Sequence, residues 1–264
     1  MLKILIVGLA IFALAAVMTM TGRGGGNFYV LLLVLAGVPM HEAATTGQFI
    51  LFSTSAAAML VFRKGKTLCL PLALALGGAT SGTAFFGGLA ADLFSGRQLK
   101  LVFAVLLAAA GALMLLPLEE KPREPKSGLG YWNLRVGRDL YVVNLWMALP
   151  LAAAAGFFSG MVGVSGGSFL APLMVLGCRL PMRLAVGTAS AMVAATAFAG
   201  FLGHALQGNF NPSWAAPLAV FAVAGGALGG KLALKARPAS LKTLFALTTL
   251  IAAGLMLLNA LSAK

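Results

Sequence analysis

The chain of 264 residues is 60% hydrophobic and only 9% charged, whereas soluble domains usually carry about 25% charged residues. A soluble protein of this length could not bury so much apolar surface, but a lipid bilayer accepts it. The net charge of +13 suits lipid headgroups or anions, and nucleic-acid binding is disfavoured because the sequence has no soluble basic domain. These properties predict an all-α polytopic membrane protein.

The first half of the chain contains four long apolar segments and one short one. A stretch over residues 1–21 leads into a glycine cluster at residues 22–26. A transmembrane helix needs about 20 mainly apolar residues, so the next apolar stretch is too short to span a bilayer, whereas the three after it are long enough. These four stretches cover residues 28–36, 41–62, 67–91 and 98–117.

Residues 118–140 interrupt this series, because they are rich in proline, glycine and charge. Tyr131 and Trp132 are of the kind that lies at the interface between membrane and water. We therefore predict a connecting loop over residues 118–140 that includes an interfacial piece.

The second half has the same order of segments, with a glycine cluster at residues 163–167. One short and three long apolar stretches follow, over residues 168–177, 183–204, 213–234 and 240–261. A shift of 142 residues aligns residues 22–62 with 164–204 and residues 99–116 with 241–258 without gaps. Several of the matches are not explained by a composition rich in Ala and Leu, namely Gly24 with Gly166, Gly25 with Gly167, Pro39 with Pro181 and Lys100 with Lys242.

The alignment predicts two repeats of about four transmembrane helices, over residues 1–117 and 141–264, each with a glycine-broken half-helix. The whole chain would then contain roughly eight spanning helices and two half-helices. An even number of crossings in each half would leave the repeats parallel, whereas a half-helix that crosses together with its neighbour would invert them.

The glycine clusters are the candidate binding site. A half-helix that begins inside the membrane presents free N–H groups and the positive end of a helix dipole, which together bind anions. Broken segments at matching places in two repeats are a sequence indication of a transporter site near the midplane. The alternative is close helix packing through small residues.

The predicted substrate-binding residues come from the two clusters and from the helices that follow them. Arg23 stands where the second half has Ser165, so it could supply a cation to the anion. The hydroxyls could donate to an oxyanion or, equally, bond to carbonyls of their own helix. The sequence indicates no cofactor and no metal. The full set is Arg23, Gly24, Gly25, Gly26, Thr46, Gln48, Ser165, Gly166, Gly167, Ser168, Thr188 and Ser190.

Two segments resemble the TauE/SafE family of sulfite and organosulfur-anion exporters: GRGGGNFYVLLLVLAGVPMHEAATT and GVSGGSFLAPLMVLGCRLPMRLAVGTAS. The resemblance extends over both halves. It implies a multi-pass exporter of small sulfur-containing anions, such as sulfite or sulfonates, in the plasma membrane, bound by half-helix N-termini at the repeat interface. The identity of the anion, direction, coupling, sidedness and oligomeric state stay open, with a homodimer as one alternative.

Two other functions are compatible with parts of the sequence. Gly163, Val164, Ser165 and Gly166 match the GxSG pattern of rhomboid-like intramembrane serine proteases, and His204 follows on a later segment. The repeat explains these glycines without catalysis, so we predict that the chain is not an enzyme. A passive anion channel is the second alternative, because sequence does not separate a pore from a carrier.

Overall fold

The structure, a computed structural model, describes residues 2–90, 96–116, 128–136, 139–162, 167–205 and 210–262. These ranges contain ten α-helices, one π-helix and one two-stranded hairpin. The elements are α1 (Leu2–Met20), α2 (Gly26–Leu35), α3 (Met40–Lys64), α4 (Leu70–Ala90), α5 (Gly96–Leu115), β1 (Tyr131–Val136), β2 (Asp139–Asn144), α6 (Leu145–Val162), α7 (Gly167–Pro172) with its π-helical continuation (Leu173–Gly177), α8 (Met182–Ala205), α9 (Pro212–Lys235) and α10 (Pro238–Ser262).

Within the described residues, five helices are long and apolar enough to cross a membrane. The prediction of an all-α polytopic membrane protein is therefore confirmed. The five spans are Leu2–Met20, Glu42–Lys64, Met182–Leu202, Pro212–Lys235 and Pro238–Leu258.

The helices begin at related places in the two halves. α3 and α4 begin at residues 40 and 70, and α8 and α9 begin at residues 182 and 212, each 142 residues later. The turns before α3 and α8 also correspond, since Gly37 and Arg179 both have positive φ, at 89° and 53°. This spacing supports the two-repeat organisation, which stays a prediction together with its boundaries.

The connecting region differs from the predicted loop. β1 and β2 pair in antiparallel register, from Tyr131 opposite Asn144 to Val136 opposite Asp139. Leu134 and Val143 are buried. Aromatic and β-branched residues such as Tyr131, Trp132 and Val143 favour a pleated, half-buried surface. The predicted interfacial piece is therefore one strand of a hairpin.

The described chain divides into two compact units, of which the first comprises Met1–Leu70 and Val186–Ala236. In this unit α9 packs against both α1 and α3 and runs parallel to each. Four glycines of α9 allow close approach, because a side chain there would clash with a neighbouring helix. Gly225 lies against Phe12, Gly229 against Ala16, Gly226 against Thr54 and Gly230 against Val61.

α3 and α8 belong to the same unit and run antiparallel. The rings of Phe49 and Phe201 have centroids 5.1 Å apart, and those of Phe52 and Phe198 are also 5.1 Å apart. At the other end of α3, Phe62 lies against Gly187. In the predicted repeats α3 and α8 correspond, and for that organisation their opposite directions favour inverted repeats over parallel ones.

The second unit comprises Pro71–Ala185 and Arg237–Lys264. In it α5 packs against α10, with Gly111 next to Leu250. α4 and α6 approach closely at Gly156, which lies against the backbone of Thr80. α7 packs on α5 and α6. These elements and the π-helix line an open, almost wholly apolar cavity of about 410 Å³.

Candidate functional site

The turn between α1 and α2 holds the first glycine cluster. Hydrogen bonds close it, from Gly22 N to Thr19 O (2.9 Å) and from Arg23 N to Met18 O (3.2 Å). Gly24 and Gly25 have φ of 70° and 86°, a left-handed conformation that side chains with a Cβ rarely adopt. The glycines therefore let the chain reverse direction and begin a new helix within a few residues.

The turn lies at mid-length of two long helices. A methyl group placed on Gly24 would be 2.6 Å from Ser55 Oγ on α3 and 3.4 Å from Val193 Cγ1 on α8. Ser55 and Val193 are close to the midpoints of Met40–Lys64 and Met182–Ala205. If these helices cross the bilayer along their full length, the turn lies near its middle.

α2 then runs back along α3. Gly26, its first residue, lies against Leu51, whereas Val30 lies against Gly47, closer to the start of α3. Its 10 residues are about 15 Å long, roughly half the hydrocarbon core. Tyr29 is fully buried, and its hydroxyl is 3.3 Å from Thr54 Oγ1. α2 is thus a half-helix whose N-terminus points into the first unit.

Several polar groups at this turn have no hydrogen-bond partner within the described ranges. The amides of Gly24, Gly25 and Gly26 donate to no acceptor there. The hydroxyls of Thr19 and Ser55, each 1% exposed, are also unpaired among the described residues. Buried donors without partners are costly, so their concentration at a helix N-terminus makes this turn the candidate binding site.

Arg23 adds a cation to the same turn. Its side chain is only 8% exposed, although long basic side chains usually reach water. Backbone amides, hydroxyls and a guanidinium are all donors that suit an anion. The turn therefore has the composition of an anion-binding site.

The other predicted residues of the first half lie on α3. Thr46 is fully buried, and its hydroxyl has no partner in the part of the chain that the structure describes. Thr46 lies five positions before Leu51, which contacts the first residue of α2, and this is a distance of about 7.5 Å along the helix. Gln48 is half-buried and packs against Gly200 of α8. Thr46 and Gln48 are therefore closer to the first residue of α3 than the turn is.

Thr188 and Ser190 of α8 already take part in hydrogen bonds. The Thr188 hydroxyl accepts from Cys69 N at 3.1 Å. The Ser190 hydroxyl donates to Val186 O of its own helix at 2.9 Å, in line with the alternative noted for these hydroxyls. Their part in anion binding stays a prediction.

The second glycine cluster is described only in part. Ser165 and Gly166 lie outside the described residues, as do the side chains of Ser168 and His204. Gly167 begins α7, which has 6 residues before the π-helix starts. Pro172 at that junction has no amide N–H, so it interrupts the regular hydrogen bonding of the helix.

The cavity of the second unit does not suit an anion. Its lining comes from Leu, Ala, Met, Phe, Pro and Gly residues such as Leu106, Phe158 and Phe169. An anion transferred to such surroundings would lose its hydration without compensation. No group of three His, Cys, Asp or Glu side chains in the described ranges could hold a metal ion.

Sequence reasoning missed Thr19 and Ser55. Both were overlooked because the prediction relied on matches between halves, and the 142-residue shift places them on Met161 and Ala197. Burial of their hydroxyls without a partner is visible only in three dimensions. The one signal in the sequence was the polar run Ser53, Thr54, Ser55 inside an apolar segment.

A multi-pass membrane protein with a half-helix beginning at mid-length of its long helices has the construction of a membrane transporter. Comparison with known families agrees. The chain matches the family model "Sulfite exporter TauE/SafE" over residues 7–256, and it belongs to that family. The predicted resemblance is confirmed.

Curated relatives have similar lengths. The chain is 26% identical over 255 residues to the probable membrane transporter protein YdhB of Bacillus subtilis, covering 95% of this chain and 98% of the relative. It is 23% identical to YunE of the same organism, covering 81% of each. A probable membrane transporter protein of Xylella fastidiosa is 28% identical over 80% of this chain and 78% of its own length. No solved structure matches.

These findings establish a multi-pass membrane transporter. They also agree with the prediction that the chain is not an enzyme, because its family and these relatives are named for transport.

Proposed function

We propose that the protein exports small sulfur-containing anions, such as sulfite or sulfonates, and binds them at the N-terminus of α2. The observation that carries the proposal is the buried turn at Gly24 and Gly25, where unpaired amides and Arg23 come together at mid-length of α3 and α8. The family's description as sulfite exporters supports this class of substrate.

The chemistry of the turn suits an oxyanion. A sulfite or sulfonate group carries three oxygens, which can accept several hydrogen bonds at once. Amides at a helix N-terminus bind such a group without titrating, so binding would persist over a wide pH range. Arg23 compensates the negative charge, and Thr46 and Gln48 are placed to contact a solute that moves along α3. The residues of the second glycine cluster stay predicted contributors.

The antiparallel directions of α3 and α8 suit a carrier. Inverted repeats place the substrate site near the bilayer midplane and allow it to open alternately to either side. A carrier of this kind shows saturable flux and counterflow. Flux through a passive anion channel can also saturate but shows no counterflow, so counterflow separates the two functions.

The test is flux of radiolabelled sulfite and of taurine in proteoliposomes, with and without a pH gradient. We expect saturable sulfite flux above that of empty vesicles. Absence of flux for every sulfur-containing anion tested would contradict the proposal. Flux without counterflow would favour the channel instead.

A variant tests the role of Arg23. Arg23→Ala should raise the apparent KM for sulfite about tenfold or more, because a hydrogen bond to a charged group contributes about 1.5–3 kcal/mol. Arg63→Ala is the matched control, since Arg63 is an exposed residue in the last turn of α3. An unchanged KM for Arg23→Ala would reject direct contact between Arg23 and the anion.

A further inference from the structure

Three consecutive residues on α3 carry hydroxyls, and these hydroxyls differ in their hydrogen bonding. The Ser53 hydroxyl donates to Phe49 O and the Thr54 hydroxyl donates to Ile50 O, each at 2.8 Å. Such bonds to the carbonyl four residues earlier are the usual way for a helix to satisfy a buried hydroxyl. The Ser55 hydroxyl makes no corresponding bond to Leu51 and is unpaired among the described residues, although Ser55 is only 1% exposed.

The Ser55 hydroxyl faces the glycine turn. A methyl group on Gly24 would be 2.6 Å from Ser55 Oγ, so the oxygen lies directly against the backbone that precedes α2. The amides of Gly24, Gly25 and Gly26 belong to that same backbone. The unpaired hydroxyl and the unpaired amides are therefore neighbours, although they come from separate elements.

We propose that Ser55 is an anion-binding residue, whose hydroxyl donates a hydrogen bond to an oxygen of the oxyanion held at the N-terminus of α2. This inference rests on the site of the proposed function and adds a donor from α3 to it. Since the amides of the turn and the hydroxyl of α3 come from different parts of the chain, together they fit an anion with several acceptor oxygens better than a spherical halide. Ser55 therefore contributes to selectivity for oxyanions.

The proposal makes the two halves unequal. The residue 142 positions after Ser55 is Ala197, which is buried and has no hydroxyl. The donor from α3 therefore has no equivalent at the corresponding position of α8. This asymmetry accounts for the failure of repeat matching to identify Ser55.

The test compares Ser55→Ala with Ser53→Ala in purified, detergent-solubilised full-length protein. Binding of radiolabelled sulfite is measured at equilibrium, and flux is measured separately in proteoliposomes. Ser55→Ala should weaken sulfite binding about tenfold or more and should raise the KM for flux by a similar factor. Ser53→Ala, which removes a hydroxyl bonded to its own helix, should leave both values unchanged.

Thermal unfolding without anion provides a second measurement. Removal of a buried, unpaired hydroxyl relieves a desolvation cost, so the ligand-free Ser55→Ala protein should melt about 2 °C above the wild type. A hydroxyl with a purely structural role would lower the melting temperature instead, and its loss would not change the relative binding of sulfite and chloride.

The outcomes separate the inference from the proposed function. If Ser55→Ala binds sulfite like the wild type, the inference is overturned and export is unaffected. If sulfite binds and Ser55→Ala weakens it, but the wild type shows no flux, the exporter proposal fails and the role of Ser55 stands. If the wild type binds no sulfur oxyanion, both fail.

Discussion

The glycines of α9 allow a quantitative test of helix packing in the first unit. Gly226→Ala would place a methyl group 2.5 Å from Thr54 O and 3.1 Å from Thr54 C, whereas ordinary van der Waals contact begins at 3.4 Å. α3 and α9 would have to move apart by several tenths of an ångström. Overpacking of this kind costs about 1–3 kcal/mol, and alanine in place of a helical glycine returns about 1 kcal/mol.

The net expectation is a loss of up to about 2 kcal/mol for Gly226→Ala. Gly254→Ala in α10 is the matched control, because a methyl group there has nothing within 4 Å. That variant should be neutral or up to about 1 kcal/mol more stable than the wild type. The same chemical change should therefore have opposite effects at the two positions.

Thermal unfolding in detergent, followed by tryptophan fluorescence, measures the difference. At about 2–4 °C per kcal/mol for a chain of this size, Gly226→Ala should melt several degrees below Gly254→Ala. Because Thr54 precedes Ser55, displacement of α3 should also raise the KM for sulfite. Equal melting temperatures for the two variants would refute the close contact of α9 with α3.

Two further predictions concern the turns and the start of α9. Gly37→Ala should lower the free energy of unfolding by about 1 kcal/mol, because the φ of 89° is unfavourable for alanine although nothing lies within 4 Å of the added methyl group. Arg179→Gly should be stabilising, since Arg179 has a φ of 53°. Melting curves in the same detergent check both variants. The Asn211 side chain caps α9 by accepting a hydrogen bond from Ser213 N, and it also donates one to Glu42 Oε2, both at 3.1 Å. Asn211→Ala should therefore lower the free energy of unfolding by about 1 kcal/mol. Glu42→Ala leaves the cap intact and should lower it by less. A larger loss for Glu42→Ala would show that the cap is not the dominant interaction.

The helix limits were predictable because strong local signals bound them. Where the described residues include a helix end, the six full-length segments after the glycine clusters agree with it within three residues. Pro39 and Pro181 precede α3 and α8, and proline is favourable at a helix start and unfavourable inside. Gly24 and Gly25 mark the break before α2, since the turn requires positive φ.

Helix partners were not predictable from the sequence. In lipid the outward and inward faces of a helix are both apolar, so the pattern that orients a soluble helix is weak. The glycine pairs of α9 are typical of close helix contact, but they do not specify α1 on one side and α3 on the other. The hairpin was missed because two six-residue strands give a short alternating pattern beside long apolar segments.

The candidate site was predictable in its backbone and less so in its side chains. Glycines and Arg23 stand out in an apolar sequence, and the half-helix follows from segment length. Whether a hydroxyl bonds to its own helix depends on its rotamer and neighbours. For this reason Ser190 and Ser55, which look alike in sequence, differ in the structure.

The position of α9 has a consequence for biosynthesis. α1 and α3 both pack on α9, but 171 residues separate the end of α3 from the end of α9. At about 5–20 residues per second, the ribosome needs roughly 10–35 s to complete that stretch. During this interval the newly inserted N-terminal helices lack their main partner, so they depend on lipid or on the insertion machinery, and a chain truncated before α9 should be degraded.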